Sequence, residues 1–192
     1  MRAWLAALLV SGAASGATAS ELDAALFGAD PGAARAAACF IRHYDDQHLA
    51  AHPEQNVTDM ILLVDGQSQS GDRSYMSSLA VNFRGLETQM QVSGYCGAVE
   101  AEGQASLGCG IECDGGTIAV RMRDADTVLV DIPDGARTWD PTADLEADPS
   151  EIPAEAAFGP DDKTFRLERT ALEHCLPLVY DDELKAMVSG NE

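Results

Sequence analysis

The run Leu107-Gly108-Cys109-Gly110-Ile111-Glu112-Cys113, then Asp114-Gly115, then Gly116-Thr117-Ile118-Ala119-Val120-Arg121-Met122 decides the fold. Asp-Gly between two alternating runs signals a hairpin, because a tight two-residue turn needs positive φ at both positions. With Asp114-Gly115 as the loop, Cys113 faces Gly116, Ile111 faces Ile118, Cys109 faces Val120 and Leu107 faces Met122. The apolar residues then share one face, and Glu112, Thr117, Ala119 and Arg121 share the other. A slip of one residue would destroy that separation.

The pattern continues on both sides, so that Gln89 to Val130 reads as consecutive strands. After the turn Asp124-Ala125-Asp126, Val128, Val130 and Ile132 lie opposite Met122, Val120 and Ile118. Upstream, Met90, Val92, Gly94 and Cys96 alternate with Gln89, Gln91, Ser93 and Tyr95, and Leu79, Val81 and Phe83 alternate with Ala80, Asn82 and Arg84. One buried and one wet face is the mark of antiparallel sheet. Further strands are expected at Cys39–Tyr44, Val57–Val64 and Thr164–Glu168, with Asp65–Asp72 as a polar loop. Asp45-Asp46 can cap a brief helix that Pro53 ends, and Asp181–Met187 reads as a terminal helix. The fold class is therefore all-β: an antiparallel meander of about seven to eight strands with short helical segments. Closure removes exposed strand edges, so a calycin-like up-and-down barrel is expected, with a two-sheet sandwich as the alternative. The G-x-W signature of lipocalins is absent.

The first residues set the address. Met1-Arg2 precedes an apolar run from Ala3 to Val10, and small residues lead to Ala17-Thr18-Ala19. This is the pattern of a secretory signal peptide over 1–19, cut after Ala19. Its apolar core is shorter than the roughly 20 residues a spanning helix needs, and no later segment spans a bilayer as a helix. Residues 20–38 read as an alanine-rich lead-in, in which Glu21–Phe27 can form one or two helical turns, and 39–192 as one β domain. The remaining 173 residues are enough for one core. The formal charge is −20, and loss of Arg2 with the signal makes it about −21. Such a surface repels nucleic acid and anionic membrane, and suits a cationic partner. A periplasmic or secreted location follows from the signal.

Five cysteines in an exported chain point to disulfides and one odd thiol. Cys109 and Cys113 on one strand would stand about 13 Å apart, beyond the roughly 7 Å a disulfide tolerates. Cys96 and Cys109 share a face on neighbouring strands and are the best local pair. Cys39 with Cys175 would tie the two ends of the domain. The alternative is that Cys39 or Cys175 reaches Cys113.

Two segments carry candidate site chemistry. His43, His48 and His52 lie beside Asp45 and Asp46, and His48 and His52 are spaced to share a helix face. Two imidazoles and a carboxylate suit Zn²⁺ or Cu²⁺, although no H-E-x-x-H is present. Residues 133–162 hold nine acidic residues, one basic residue (Arg137) and five prolines. This reads as a long solvated loop, too polar for a core element. Asp140, Asp144, Asp148, Glu151, Asp161 and Asp162 are oxygen ligands of the kind Ca²⁺ takes, without EF-hand spacing. No C-x-x-C or G-x-S-x-G is found, and Glu112 and Asp114 beside Cys113 work against a reactive thiolate. No catalytic residue is assigned, and an enzyme is unsupported.

The runs Tyr44-Asp45-Asp46-Gln47-His48-Leu49-Ala50-Ala51-His52-Pro53, Gly94-Tyr95-Cys96 and Cys113-Asp114-Gly115-Gly116, with Phe165-Arg166-Leu167, resemble uncharacterised secreted proteins of proteobacteria. The resemblance implies a periplasmic β-protein and carries no activity or site residue with it. The expected role is binding: a small ligand in the barrel, or a protein at its rim, such as a cationic envelope enzyme that the chain inhibits. Met90, Met122, Phe83 and Ile118 pointing inward favour a filled barrel. A histidine-based metal protein, or an unrecognised enzyme, is the alternative.

Overall fold

The computed structural model describes residues 19–69, 72–101, 103–112, 114–143 and 152–190. The signal segment before Ala19, together with Cys113, lies outside them. Eight antiparallel strands close into one barrel in sequence order. They are β1 (Ala36–His43), β2 (Val57–Gln69), β3 (Asp72–Phe83), β4 (Met90–Ala101), β5 (Gln104–Ile111), β6 (Thr117–Met122), β7 (Thr127–Asp131) and β8 (Thr164–Thr170). The seam is β8 on β1, with Phe40 opposite Arg169.

The expected alternation holds throughout the meander. Phe40, Leu62, Leu79, Val92, Leu107, Val120, Val130 and Leu167 all point inward and none is exposed to solvent. An eight-stranded barrel is just wide enough for its own side chains to fill. The β5–β6 register, however, differs from the Asp-Gly reading by two residues. Leu107 stands opposite Val120 and Cys109 opposite Ile118. The loop is longer than two residues: the Ile111 amide donates to the Gly116 carbonyl at 3.0 Å and the Gly115 amide to Glu112 at 3.1 Å. Asp114 alone of the pair takes positive φ, at 57°, and Gly116 takes 96°. A displacement of two preserves every side-chain face, so the pattern of burial cannot reveal it.

The expected polar loop Asp65–Asp72 is also corrected. Asp65 to Gln69 pair with Met76 back to Asp72, so β2 and β3 form one long hairpin. Backbone pairing with a partner strand outweighs the polar composition here, and a second constraint fixes Gly66. A Cβ at that position would stand 2.8 Å from the Phe27 ring.

Phe27 belongs to α1 (Ala19–Phe27), which the sequence reading placed in the lead-in. Leu22 and Leu26 join the main core and are buried. The helix is tied to the barrel end by charge: Arg73 Nε lies 2.9 Å from Asp23 Oδ2, with both side chains almost wholly buried, and the Tyr75 hydroxyl donates to Asp23 Oδ1 at 2.8 Å. Arg169 donates to the carbonyls of Ala25 and Leu26, satisfying the helix C-terminus. Burial and the neighbouring Asp23 carboxylate both push the Tyr75 phenol upward.

The opposite barrel end is closed by α2 (Asp46–Ala51) and by part of the acidic segment. Leu49, Tyr44 and Ala156 are buried in the main core, with Leu86, Ile152 and Phe158 packed against it. Phe158 meets Phe83 and Phe165 edge-on, at 5.4 and 6.0 Å. Arg84 donates to the carbonyls of Leu49, His52 and Gln55, which holds α2 down. The segment 133–162 is thus partly a core element, contrary to its composition.

A second, smaller core lies outside the barrel. A 3-10 helix (Leu172–Leu178) and α3 (Asp182–Val188) cover Cys39, Leu63 and Ala80 on β1–β3. Beneath this cover β2 is apolar on both faces, which is why Met60 to Val64 run apolar without interruption. The Cys39–Cys175 disulfide fastens this cover across 136 residues. A loop of that length corresponds to about 4–5 kcal/mol in the chain-entropy treatment.

If α1 is a structural plug, Leu26→Ala should cost about 2–5 kcal/mol in urea unfolding. A loss below about 1 kcal/mol would show that the helix is merely attached.

Candidate functional site

The histidine turn is built as its capping residues dictate. Asp45 caps α2 by accepting from the His48 amide at 2.7 Å. One helical turn then puts His48 and His52 on the same face, where their rings stack at 4.4 Å. Tyr44 stacks on the other side of His48 at 4.7 Å, and Arg42 lies over Tyr44. Burial raises the Tyr44 phenol, with Arg42 opposing the shift. The Gln55 amide donates to the Val57 carbonyl, so its oxygen is free to accept from His48 Nε2 at 3.0 Å. His43 stands apart on β1, exposed, 2.6 Å from Asp59. The three histidines therefore form two arrangements. Nitrogen lone pairs lie in the ring planes, and two rings stacked 4.4 Å apart and tilted by only 26° do not bring them to a common point at ligand distance. Among the described residues no group of three His, Cys, Asp or Glu is disposed to hold a metal ion. The expected Zn²⁺ or Cu²⁺ cluster is not assembled.

The acidic segment has a structural use at its end. Asp162 is fully buried. Its carboxylate accepts from the Gly159 amide at 2.7 Å, Asn56 at 2.8 Å and Val57 at 3.2 Å. Burial pushes the Asp162 carboxyl up, while these three N–H groups pull it down. Asp140 is held low by the Thr142 hydroxyl and amide. Asp144, Asp148 and Glu151 lie outside the described residues. The remaining candidates do not converge on a Ca²⁺ site.

The four described cysteines are cross-links. Cys96 and Cys109 face each other across β4 and β5 and are joined, as are Cys39 and Cys175.

The feature that sequence reasoning passed over is aromatic. Tyr95 is 64% exposed, Tyr180 67% and Trp139 38%. Trp139 exchanges both backbone hydrogen bonds with Gln91 of β4, at 2.8 and 2.9 Å. Buried Gln91 also accepts from the Tyr180 hydroxyl at 2.8 Å and donates to the Pro177 carbonyl. Trp139 and Tyr180 lie 6.1 Å apart. A cleft of about 410 Å³ opens beside them, lined by Met76, Ser93, Tyr95, Glu112, Arg137 and Trp139 among others. The signal was present: alternation along β4 turns Tyr95 outward, and Trp139 is the only tryptophan beyond the signal segment. Trp, Tyr and Arg are the residues that dominate protein-binding surfaces.

Asp162→Ala should leave three backbone donors without their acceptor. A stability loss of about 3 kcal/mol or more is expected by chemical denaturation; a loss within about 0.5 kcal/mol would mean that water replaces the carboxylate.

Comparison with known proteins places nothing beside this chain: no family model, curated protein or solved structure matches it.

Proposed function

We propose that this is an exported binding module that docks another protein on the outside of its barrel. The observation that carries this reading is the filled interior, closed at one end by Leu22 and Leu26 and at the other by Leu49, Ala156 and Phe158. A barrel that carries a small ligand needs an inner cavity with a mouth. The clefts here lie on the outer surface, and the first is rimmed by Tyr95 and Trp139. The secretory pattern of the first residues supports export. So do the two disulfides, and no helix among the described residues is long and apolar enough to cross a membrane. The resemblance to secreted proteobacterial proteins agrees with a periplasmic or extracellular place of work. A formal charge of −20 selects a basic partner and speeds its encounter. Inhibition of a cationic envelope enzyme is the activity that suits such a module.

Two titrations test this. A fluorescent fatty acid should show no saturable uptake, whereas one-to-one binding would make the protein a carrier. Lysozyme and cytochrome c, as basic globular probes, should bind with an affinity that falls as salt rises, because screening shortens the reach of charge to about 8 Å at physiological strength. No interaction with either at low salt would remove the basic partner.

A further inference from the structure

All four large hydrophobic side chains that stand exposed among the described residues belong to, or are tied to, one strand. Tyr95 and Val99 point outward from β4, while Trp139 and Tyr180 are bonded to Gln91 on the same strand. From Gln91 to Val99 the stripe runs about 27 Å at the rise of an extended strand. One cleft opens at its Trp139 end. A second, of about 580 Å³, opens at its Val99 end beside Ala119 and Arg121.

The floor between the clefts is open at Gly97 and Gly110, while the Val99 side chain lies over Gly108, 3.3 Å from where a Cβ would stand. Gly97 pairs with Gly108, and Gly110 with Tyr95. Neither Gly97 nor Gly110 takes positive φ, and a Cβ added at either would meet nothing within 4 Å. Tyr95 therefore does not lie across Gly110 to shield it. Glycine weakens a strand, and inside a sheet it marks either a bulge or the close approach of another backbone. The ladder is regular here, with no shift of register from Gly94 to Ala101. The chain's own packing gives no reason for either glycine.

We infer that the outer face of β4 and β5, from Trp139 to Val99, is the docking surface for an extended, basic segment of a partner protein. This rests on the protein-binding reading and names its surface. An extended backbone fits the open glycine floor, and its alternate side chains reach Tyr95 on one side and Val99 further along. Charge selects the occupant. The chain is net −20, while the charges that line the two clefts nearly cancel, Glu112 with Arg137 in the first and Asp131 paired with Arg121 beside Lys163 in the second, so the field of the whole chain decides. A second copy would bring the same negative surface against itself.

The test uses the mature chain, ¹⁵N-labelled, with three probes: the blocked peptide Lys-Val-Lys-Phe-Lys-Val-Lys, its counterpart with Glu for Lys, and chitotetraose. The lysine peptide should shift the amides of Tyr95, Gly97, Val99, Gly108 and Gly110 and change Trp139 fluorescence. The glutamate peptide should bind at least about tenfold more weakly. The double variant Gly97→Val, Gly110→Val should melt at the same temperature or higher, because the added side chains have room, yet lose at least about tenfold in affinity for the lysine peptide. The surface assignment is overturned if the lysine peptide does not bind, if both peptides bind alike, if the shifts fall elsewhere, if chitotetraose moves those amides instead, or if the double variant binds undiminished or melts lower. Lysozyme still binding the double variant would sink this surface and leave the protein-binding reading standing.

Discussion

A barrel that fills its interior with side chains still has two ends, and closing them is the constraint on which the rest of this structure depends. Eight strands leave room for one layer of inward side chains after another, but the last layer at each end would face water. At one end α1 supplies Leu22 and Leu26. At the other, α2 supplies Leu49 and the segment before β8 supplies Ala156 and Phe158. Each closure is made by a short element with little helical stability of its own. Each is therefore pinned by polar groups that cannot be satisfied elsewhere.

Those pins share one physical logic. A buried charge is tolerated only where paired or hydrogen-bonded, and it then fixes its surroundings strongly, because breaking the arrangement strands a charge. Asp23 holds both Arg73 and the Tyr75 hydroxyl. Asp162 gathers the amides of Asn56, Val57 and Gly159. Arg84 and Arg169 each gather carbonyls from the end of a helical turn. Long-range contacts that bring α1 to β3, and residue 162 to residues 56 and 57, are made by single side chains.

This logic also separates what the sequence discloses from what it hides. Alternation of Met90, Val92, Gly94 and Cys96 against Ser93 and Tyr95 announces a two-faced strand, and the same signal recurs through β7. Parity is all that such a signal carries. It cannot tell Cys109 opposite Val120 from Cys109 opposite Ile118, since both keep the face, and the length of the turn at Glu112–Gly115 decides between them. Polar Asp65–Gln69 are strand because β3 is there to pair with them. Asp162 looks like any other residue of an acidic run, and only its three donors from distant segments distinguish it. The histidine turn shows the reverse. Its helix and cap are legible from Asp45 and the spacing of His48 and His52, but ring stacking, which spacing does not specify, turns their nitrogens away from a shared ligand. The aromatic stripe was written in the alternation of β4, and concealed because Trp139 and Tyr180 come from segments far along the chain.

The outer surface of the barrel is divided, and the division explains why binding is sought where it is. Over β1–β3 the 3-10 helix and α3 bury Cys39, Leu63 and Ala80, and Cys175 fastens them. Among the described residues that cover reaches Gln91 at the start of β4 but does not extend to Tyr95, Gly97, Val99, Gly108 and Gly110, the outward positions at the middle of β4 and β5. Had the open half required only solubility, charged or threonine side chains would serve it better and stabilise the strands more. A chain with 32 acidic residues has the means to charge that face and leaves it almost bare. The Cys96–Cys109 cross-link lies directly beneath, joining the two strands that carry the glycines. A covalent tie at that point offsets the weakness of a glycine-rich ladder and keeps the face flat and ordered without side chains above it. Stability is thus supplied from inside the barrel, and the outside of these two strands is left free for another backbone.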